Sequence, residues 1–227
     1  MLVKDWMNKN VITLDVTDTM QHAIDIVMEN SISLMPVLED GKLVGIVTDR
    51  DLKRASPSDA ARLDMQQILY HISRLEVGAI MSRYPITVPL DHTIEETAEV
   101  LLKNKISGCP VVDEKGEIKG IITKKDLFKA LIALSGLSKK GVLFGFLVED
   151  KAGSIKEITD IIRKYDARLC SILGSYERAP EGYRYVYIRA FDIERDKLDR
   201  LEEELKGAAK MLYMVDHREN RRKIFAS

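Results

Sequence analysis

Two segments of the chain place the same chemistry at the same spacing. Gly45-Ile46-Val47-Thr48-Asp49-Arg50-Asp51 and Gly120-Ile121-Ile122-Thr123-Lys124-Lys125-Asp126 each run from a β-branched stretch into a threonine, with an aspartate three residues later. Residues three apart share a helical face. A helix starting at each threonine therefore projects a hydroxyl and a carboxylate together from its first turn. The N-terminus of such a helix adds unpaired N–H groups and a positive dipole end, both suited to phosphate. An ionised aspartate can accept from both hydroxyls of a ribose cis-diol through short charge-assisted hydrogen bonds. Arg50 in one segment, and Lys124 and Lys125 in the other, could pair with phosphate. A plainer use competes, because threonine and aspartate at a helix start also serve as caps for orphan donors. Finding the whole set twice weighs toward a ligand.

The elements that position these segments are themselves repeated. At a shift of 74 residues Val3 falls on Val77, Met7 on Met81, Ile12 on Ile86, Thr19 on Thr93, Ile32 on Ile106 and Pro36-Val37 on Pro110-Val111. One extra residue enters the turn of the second copy, and from there the shift is 75: Gly45 falls on Gly120, Thr48 on Thr123 and Asp51-Leu52 on Asp126-Leu127. Each copy opens on a short β-branched run (Val11 to Leu14; Ile86 to Val88). A helix start signal follows, Asp18-Thr19 or Thr93 with Glu96, the latter at capping-box spacing. Next come a helical stripe (Met20, Ala23, Ile24, Val27, Met28; Ile94, Thr97, Ala98, Leu101, Leu102), two strands around a glycine turn, and a second helix. The unit is β-α-β-β-α, and two copies are expected to bury each other's apolar faces about a pseudo-twofold axis. The connector starts at Pro57-Ser58-Asp59. Leu63, Gln66, Gln67 and Tyr70 share a stripe, so residues 59–72 are expected to be helical.

Over roughly residues 1 to 135 this pattern resembles the tandem CBS pair, or Bateman module. The resemblance implies a sensor of an adenosine compound: AMP, ADP or ATP, with NAD or S-adenosylmethionine as variants. It nominates Thr48 and Asp51 for one cleft and Thr123 and Asp126 for the other, holding ribose and phosphate, with Arg50 beside the first pair and Lys124 beside the second as differing cations. Ile12 and Ile32, with Ile86 and Ile106, would line the base pockets.

After the hinge Ser135 to Gly141 the pattern changes. Val142 to Val148, Arg168 to Tyr176, Tyr183 to Ala190 and Met211 to Val215 read as strands. The stripes Ile155, Ile158, Ile162, Tyr165 and Leu198, Leu201, Leu205 read as helices. Tyr183, Tyr185 and Tyr187 should face away from Val186, Ile188 and Ala190. The order β-α-β-β-α-β is ferredoxin-like, and over residues 141 to 217 the segment resembles the ACT domain. That resemblance implies a dimerising regulatory module with a possible amino-acid site at Asp150, Gly153, Ser154 and Ile155. The family's usual Asp-x-Pro-Gly stands here as Asp150-Lys151-Ala152-Gly153, without the proline.

Composition narrows the rest. The chain has 227 residues, 35 Lys and Arg against 36 Asp and Glu, and a formal net charge of -1. That balance argues against general nucleic-acid binding and electrostatic membrane binding. Two cysteines, Cys109 and Cys170, make neither a disulfide framework nor a zinc cluster; both are expected in the core, in a reducing cytoplasm. No secretory signal is visible in the first twenty residues, and Val142 to Val148 is the longest apolar run, far short of the ~20 residues of a spanning helix. His22, His71, His92 and His217 are scattered; His92 with Glu95 and Glu96 has ligand-like spacing but sits in a capping region, and no metal is expected. No nucleophile–base or P-loop spacing appears. Arg218, Arg221, Arg222 and Lys223 form a basic tail expected to fray in solvent.

The expected architecture is α+β: CBS 1 with its connector over 1–70, CBS 2 over 71–136, an ACT-like unit over 141–217 and the tail over 218–227. The expected function is a non-catalytic, homodimeric sensor acting on a protein partner. An amino-acid-sensing regulator and a ligand-free interaction protein are the alternatives.

Overall fold

The computed structural model describes residues 1–56 and 72–225. The expected connector start at Pro57, the stripe Leu63 to Tyr70 and His71 lie outside the described residues. The chain divides into two units, Met1–Ala130 and Leu131–Ser227.

In the first unit the repeat is realised element for element. The first copy holds β1 (Leu14–Asp15), α1 (Met20–Asn30), β2 (Leu34–Glu39), β3 (Lys42–Thr48) and α2 (Asp49–Ala55). After α3 (Val77–Ile80) and β4 (Ser82–Arg83), the second copy holds β5 (Val88–Pro89), α4 (Ile94–Lys103), β6 (Gly108–Val112), β7 (Ile118–Thr123) and α5 (Lys124–Ser135). Pairing obeys the same shift: Leu14 lies opposite Val37 in a parallel pair, as Val88 lies opposite Val111, and each central strand then pairs antiparallel with the next. The opening strands are two residues long, shorter than Val11 to Leu14 and Ile86 to Val88. Val11 leaves the ladder to pack on Leu34, Ile46 and Ile121, while Ile12 and Ile86 turn toward cavities.

The helices start where their caps predict. The Thr19 hydroxyl accepts the His22 N–H at 3.2 Å, and Thr93 and Glu96 form a full capping box. The buried stripes are narrower than the periodicity suggests. Met20 and Ala23 are buried, as are Ile94, Thr97 and Leu101, but Met28 is 75% exposed and its repeat mate Leu102 69%.

One feature is not visible in the repeat itself. The opening segment of each copy crosses to the other copy. Val3 is buried with Val88, Ile94 and Leu101, and Asn8 bridges Ile121. In turn Ile72, Val77 and Met81 are buried with Leu14, Met20, Val37 and Val47, and β4 pairs with β3. The crossing strands pass so close that a Cβ at Gly45 would collide with Met81 Sδ and sit 3.1 Å from the Ser82 carbonyl oxygen; at Gly120 it would collide with Met7 Sδ and sit 3.0 Å from that of Asn8. Ile46 and Ile121, mates in the repeat, meet in a small cluster with Leu34.

The second unit holds β8 (Val142–Glu149), α6 (Ser154–Lys164), β9 (Arg168–Ser175), β10 (Tyr183–Phe191), α7 (Leu198–Ala208), β11 (Lys210–Asp216) and β12 (Arg221–Ile224). The sheet order is β12-β11-β8-β10-β9 with every neighbour antiparallel, so β8 to β11 adopt the ferredoxin-like arrangement. Phe144, Phe146, Val186 and Ile188 meet Ile158, Ile162, Leu201 and Leu205 in its core. Tyr185, Tyr187 and Tyr213 stack along the opposite sheet face. The basic tail is not frayed: Arg221–Ile224 pairs with β11, Lys223 bonds Asp199 and the buried Glu202, and Phe225 packs on the core. Burial alone would raise the Glu202 pKa, but the Lys206 and Lys223 hydrogen bonds outweigh it and hold the carboxyl below its usual range. Among the described residues no helix is long and apolar enough to cross a membrane.

Candidate functional site

Described residues of the first unit line two cavities of about 590 and 430 Å3. Thr123, Lys124, Lys125 and Asp126 line the larger, and Thr48, Arg50 and Asp51 line the smaller. The isoleucines sort crosswise. Ile12 and Ile32 of the first copy line the cavity of Thr123 and Asp126; Ile86 and Ile106 of the second line that of Thr48 and Asp51. Each cavity is therefore built from both copies.

The local sequence explains the position of each aspartate. Thr48 and Thr123 end a strand, and the chain turns there into α2 and α5. Thr48 N–H and Oγ1–H donate to Asp51 Oδ2 at 3.0 and 2.6 Å, and Asp51 N–H returns a bond to Thr48 Oγ1 at 3.2 Å. Thr123 N–H and Oγ1–H reach Asp126 Oδ2 at 3.1 and 2.6 Å. The capping role weighed against a ligand is thus fulfilled in full at Thr48, while at Thr123 only the bonds to the aspartate carboxylate are formed; both aspartates are buried, at 6% and 9% exposure. The other oxygen, Oδ1, meets a cation: Arg54 on Asp51, and Lys129 at 3.1 Å on Asp126. Those cations hang in solvent, with side chains 72% and 58% exposed. A carboxylate oxygen has two acceptor sites, so Oδ1 is the atom left for a ligand hydroxyl once a flexible cation gives way.

Cations outnumber carboxylates around both cavities. Arg50, Arg54, Arg83, Lys105 and Lys124 face Asp49 and Asp51 in one; Lys124, Lys125 and Lys129 face Asp126 in the other. In a chain of net charge -1 this is a local excess that suits an anion. Arg54 and Lys129 were legible in principle, since they are repeat mates three residues beyond each aspartate. Trp6, Asn8 and Asn10, which line the larger cavity, and Tyr84, which lines the smaller, carry no local signal. They arrive only because the opening segments cross.

In the second unit, Asp150, Gly153 and Ser154 come together where β8 turns into α6. Asp150 Oδ1 accepts from the Tyr176 hydroxyl at 3.3 Å and lies 3.4 Å from Arg184 Nε, whose guanidinium also reaches Ser154 Oγ at 3.4 Å. Arg184 and Tyr176 were not singled out in the sequence. Gly153 has φ +88°, which side-chain-bearing residues rarely adopt, although a Cβ there would meet open space. Ile155 does not join this group; it packs against the core, as the stripe of its helix requires.

Among the described residues no three metal-ligating side chains converge. Glu96, of the triplet with His92 and Glu95, is taken up in the Thr93 cap. Cys109 is fully buried and its thiol is pushed up to about 12 by desolvation, which keeps it protonated. Cys170 is only half-buried, beside the Gly136 carbonyl, and departs from the expected core position.

Comparison with known proteins covers the first unit. The CBS domain family matches residues 3–58 and 77–133. A CBS domain-containing protein of Dictyostelium discoideum is 34% identical over 132 residues, covering 58% of this chain and 91% of that protein. The uncharacterized protein MJ1426 of Methanocaldococcus jannaschii is 33% identical over 155 residues, covering 58% of this chain and 92% of that one. The crystal structure of protein MJ1225 from the same organism superimposes with a TM-score of 0.51 at 32% identity, over 57% of this chain and 47% of its own. With its repeat in sequence, its paired copies in space and these relatives, the chain belongs to the CBS-domain family.

Proposed function

We propose that the chain is a non-catalytic sensor whose two cavities take an adenosine nucleotide, AMP, ADP or ATP before NAD or S-adenosylmethionine. The observation that carries this reading is the repeated cavity itself: a buried aspartate at a helix start, an excess of cations beside it and two isoleucines from the other copy. The aspartate suits a ribose diol, the helix start with its cations suits phosphate, and the isoleucines suit a base. Because each cavity draws on both copies, an occupant touches both and can bias their arrangement, provided it binds one arrangement better than another. Calorimetric titration with AMP, ADP, ATP, NAD and S-adenosylmethionine tests the reading; micromolar or tighter binding supports it, and no binding by any of them leaves a ligand-free interaction protein.

The second unit supports a further regulatory role. Its topology and the Asp150–Arg184–Ser154 group beside Gly153 fit an ACT-like module, and the order of a CBS pair followed by such a module resembles the bacterial acetoin-utilisation accessory protein. An amino-acid panel that raises the melting temperature where nucleotides do not would favour amino-acid sensing through this unit. Self-association as a homodimer is supported by the exposed apolar side chains Met28, Leu102, Phe128, Leu131 and Ile132, and sedimentation would measure it. The two free cysteines fit a cytoplasmic setting.

A further inference from the structure

The two cavities are neighbours. Leu34, Ser107 and Lys124 line both, and of these only Lys124 carries a charge. Lys124 is the first residue of α5, and its backbone N–H is held by the Ser107 carbonyl at 2.9 Å. It is half-buried, and among the described residues it makes no ion pair. Its repeat mate is an acid, Asp49, which lines only the smaller cavity and lies 3.5 Å from Lys53. The pseudo-twofold symmetry therefore breaks here, since Lys124 lines both cavities and its acidic mate only one.

We propose that Lys124 is shared by the two cavities, so that anionic ligands occupy them anticooperatively. This rests on the nucleotide reading of the cavities. The first phosphate to bind engages the ammonium. A second phosphate arrives to find that cation spent and another anion within reach, so it binds without the benefit the first one had. A charge-assisted contact of this kind corresponds to about a ten-fold change in affinity or more. A neutral ligand has no use for the ammonium and is bound without the coupling.

The experiment uses calorimetry on the full chain, with AMP as the probe and adenosine as its phosphate-free control. Asp51→Asn and Asp126→Asn give proteins with one working cavity each. In both, Lys124→Gln is expected to weaken AMP about ten-fold. In the otherwise unaltered protein it should weaken only the tighter AMP event by about that factor, leaving the weaker one within two-fold. Lys124→Arg should restore the wild-type pattern, which separates loss of charge from loss of fold, and adenosine should be insensitive to all three residues at this position. An effect in only one single-cavity protein would assign Lys124 to that cavity alone and overturn the sharing. Two AMP events that ignore Lys124→Gln would overturn it as well. Should AMP not bind the wild-type protein, ATP takes its place as the probe; absence of binding by AMP, ADP, ATP, NAD and S-adenosylmethionine alike would instead bring down the nucleotide reading itself.

Discussion

The two CBS copies agree where they pack and in the threonine, aspartate and isoleucines of their cavities, and they disagree in the charged and polar residues around these. Leu14 and Val88, Val37 and Val111, and Val47 and Ile122 are buried mates in the repeat. Gly45 and Gly120 admit equivalent crossing segments, and each copy starts its second helix with the same threonine-to-aspartate hydrogen bond. Around the cavities other mates diverge: Asp49 against Lys124, Arg54 against Lys129, and Tyr84 against Asn10. Close packing constrains the first set, because interiors tolerate little change in volume. The second set is free of that constraint and can be tuned to what each cavity holds. Two cavities on one frame therefore need not be equal in affinity, or in ligand.

Removing the aspartates is expected to have the largest effect and tests that inequality directly. Asp51→Ala and Asp126→Ala should each cost about 1.5–3 kcal/mol of nucleotide affinity, roughly 10- to 150-fold, if the Oδ1 atoms hold the diol. Each should also cost about 0.5–2 kcal/mol of stability through the lost cap. Calorimetry and denaturant melts read the two losses separately. A stability loss with unchanged nucleotide affinity in both variants would leave the aspartates as caps alone.

Next come the glycines, which probe the shared frame. Gly45→Ala and Gly120→Ala each force a Cβ against a methionine sulfur and a backbone carbonyl of the crossing strand. Overpacking of this kind costs about 1–3 kcal/mol. The two losses should agree within about 0.5 kcal/mol if the frame is as symmetric as its packing. A large difference in melting temperature between them would show that one crossing segment yields more readily than the other.

Smaller effects are expected from the cations that hold Oδ1. Arg54→Ala and Lys129→Ala remove largely exposed partners, so each should change stability by no more than about 1 kcal/mol. If these side chains merely occupy Oδ1 until a ligand arrives, their loss should leave nucleotide affinity unchanged or raise it. A ten-fold loss would make them phosphate contacts instead. Arg54 is the more informative of the two, because a guanidinium can grip phosphate through two parallel bonds where an ammonium cannot.

Much of this architecture was legible because its causes are local. Thr19, Thr93, Thr48 and Thr123 announce helix starts through short-range hydrogen bonds, and the alternation of β10 sorts its tyrosines from Val186 and Ile188 by strand geometry alone. What stayed hidden was tertiary. Nothing near Val3 or Met81 says that each belongs to the other copy's core, so the crosswise sorting of Ile12 and Ile32 from Ile86 and Ile106 could not be read. The stripes overran to Met28 and Leu102 because periodicity reports an apolar face without saying how far the partner surface extends. The basic tail looked solvated from its charges; Asp199 and Glu202, distant in sequence, supply the counter-charges that fold it into a strand.

The smallest predicted effect concerns a difference between the copies that lies outside the cavities. At the third position of the first helix, one copy has His22 and the other Glu96. Glu96 accepts the Thr93 N–H at 2.7 Å while Thr93 Oγ1 accepts the Glu96 N–H at 3.1 Å; in the first copy only the bond from His22 N–H to Thr19 Oγ1 is formed. The backbone and side-chain bonds from Thr93 hold the Glu96 carboxyl below its ordinary value of 4.5. His22→Glu should supply the missing half of the cap and stabilise the protein by about 0.3–1 kcal/mol. The sign of its pH dependence follows from the depressed pKa: the gain is fully present above pH 4.5, where the carboxylate is ionised in both folded and unfolded chains, and it is lost as pH falls through the folded value. Melting curves of His22→Glu and His22→Gln at pH 7 and pH 4 separate these contributions. A gain in both variants that ignores pH would credit a neutral acceptor, which the glutamine amide also supplies, and a gain confined to the glutamate at pH 7 would credit the charged carboxylate.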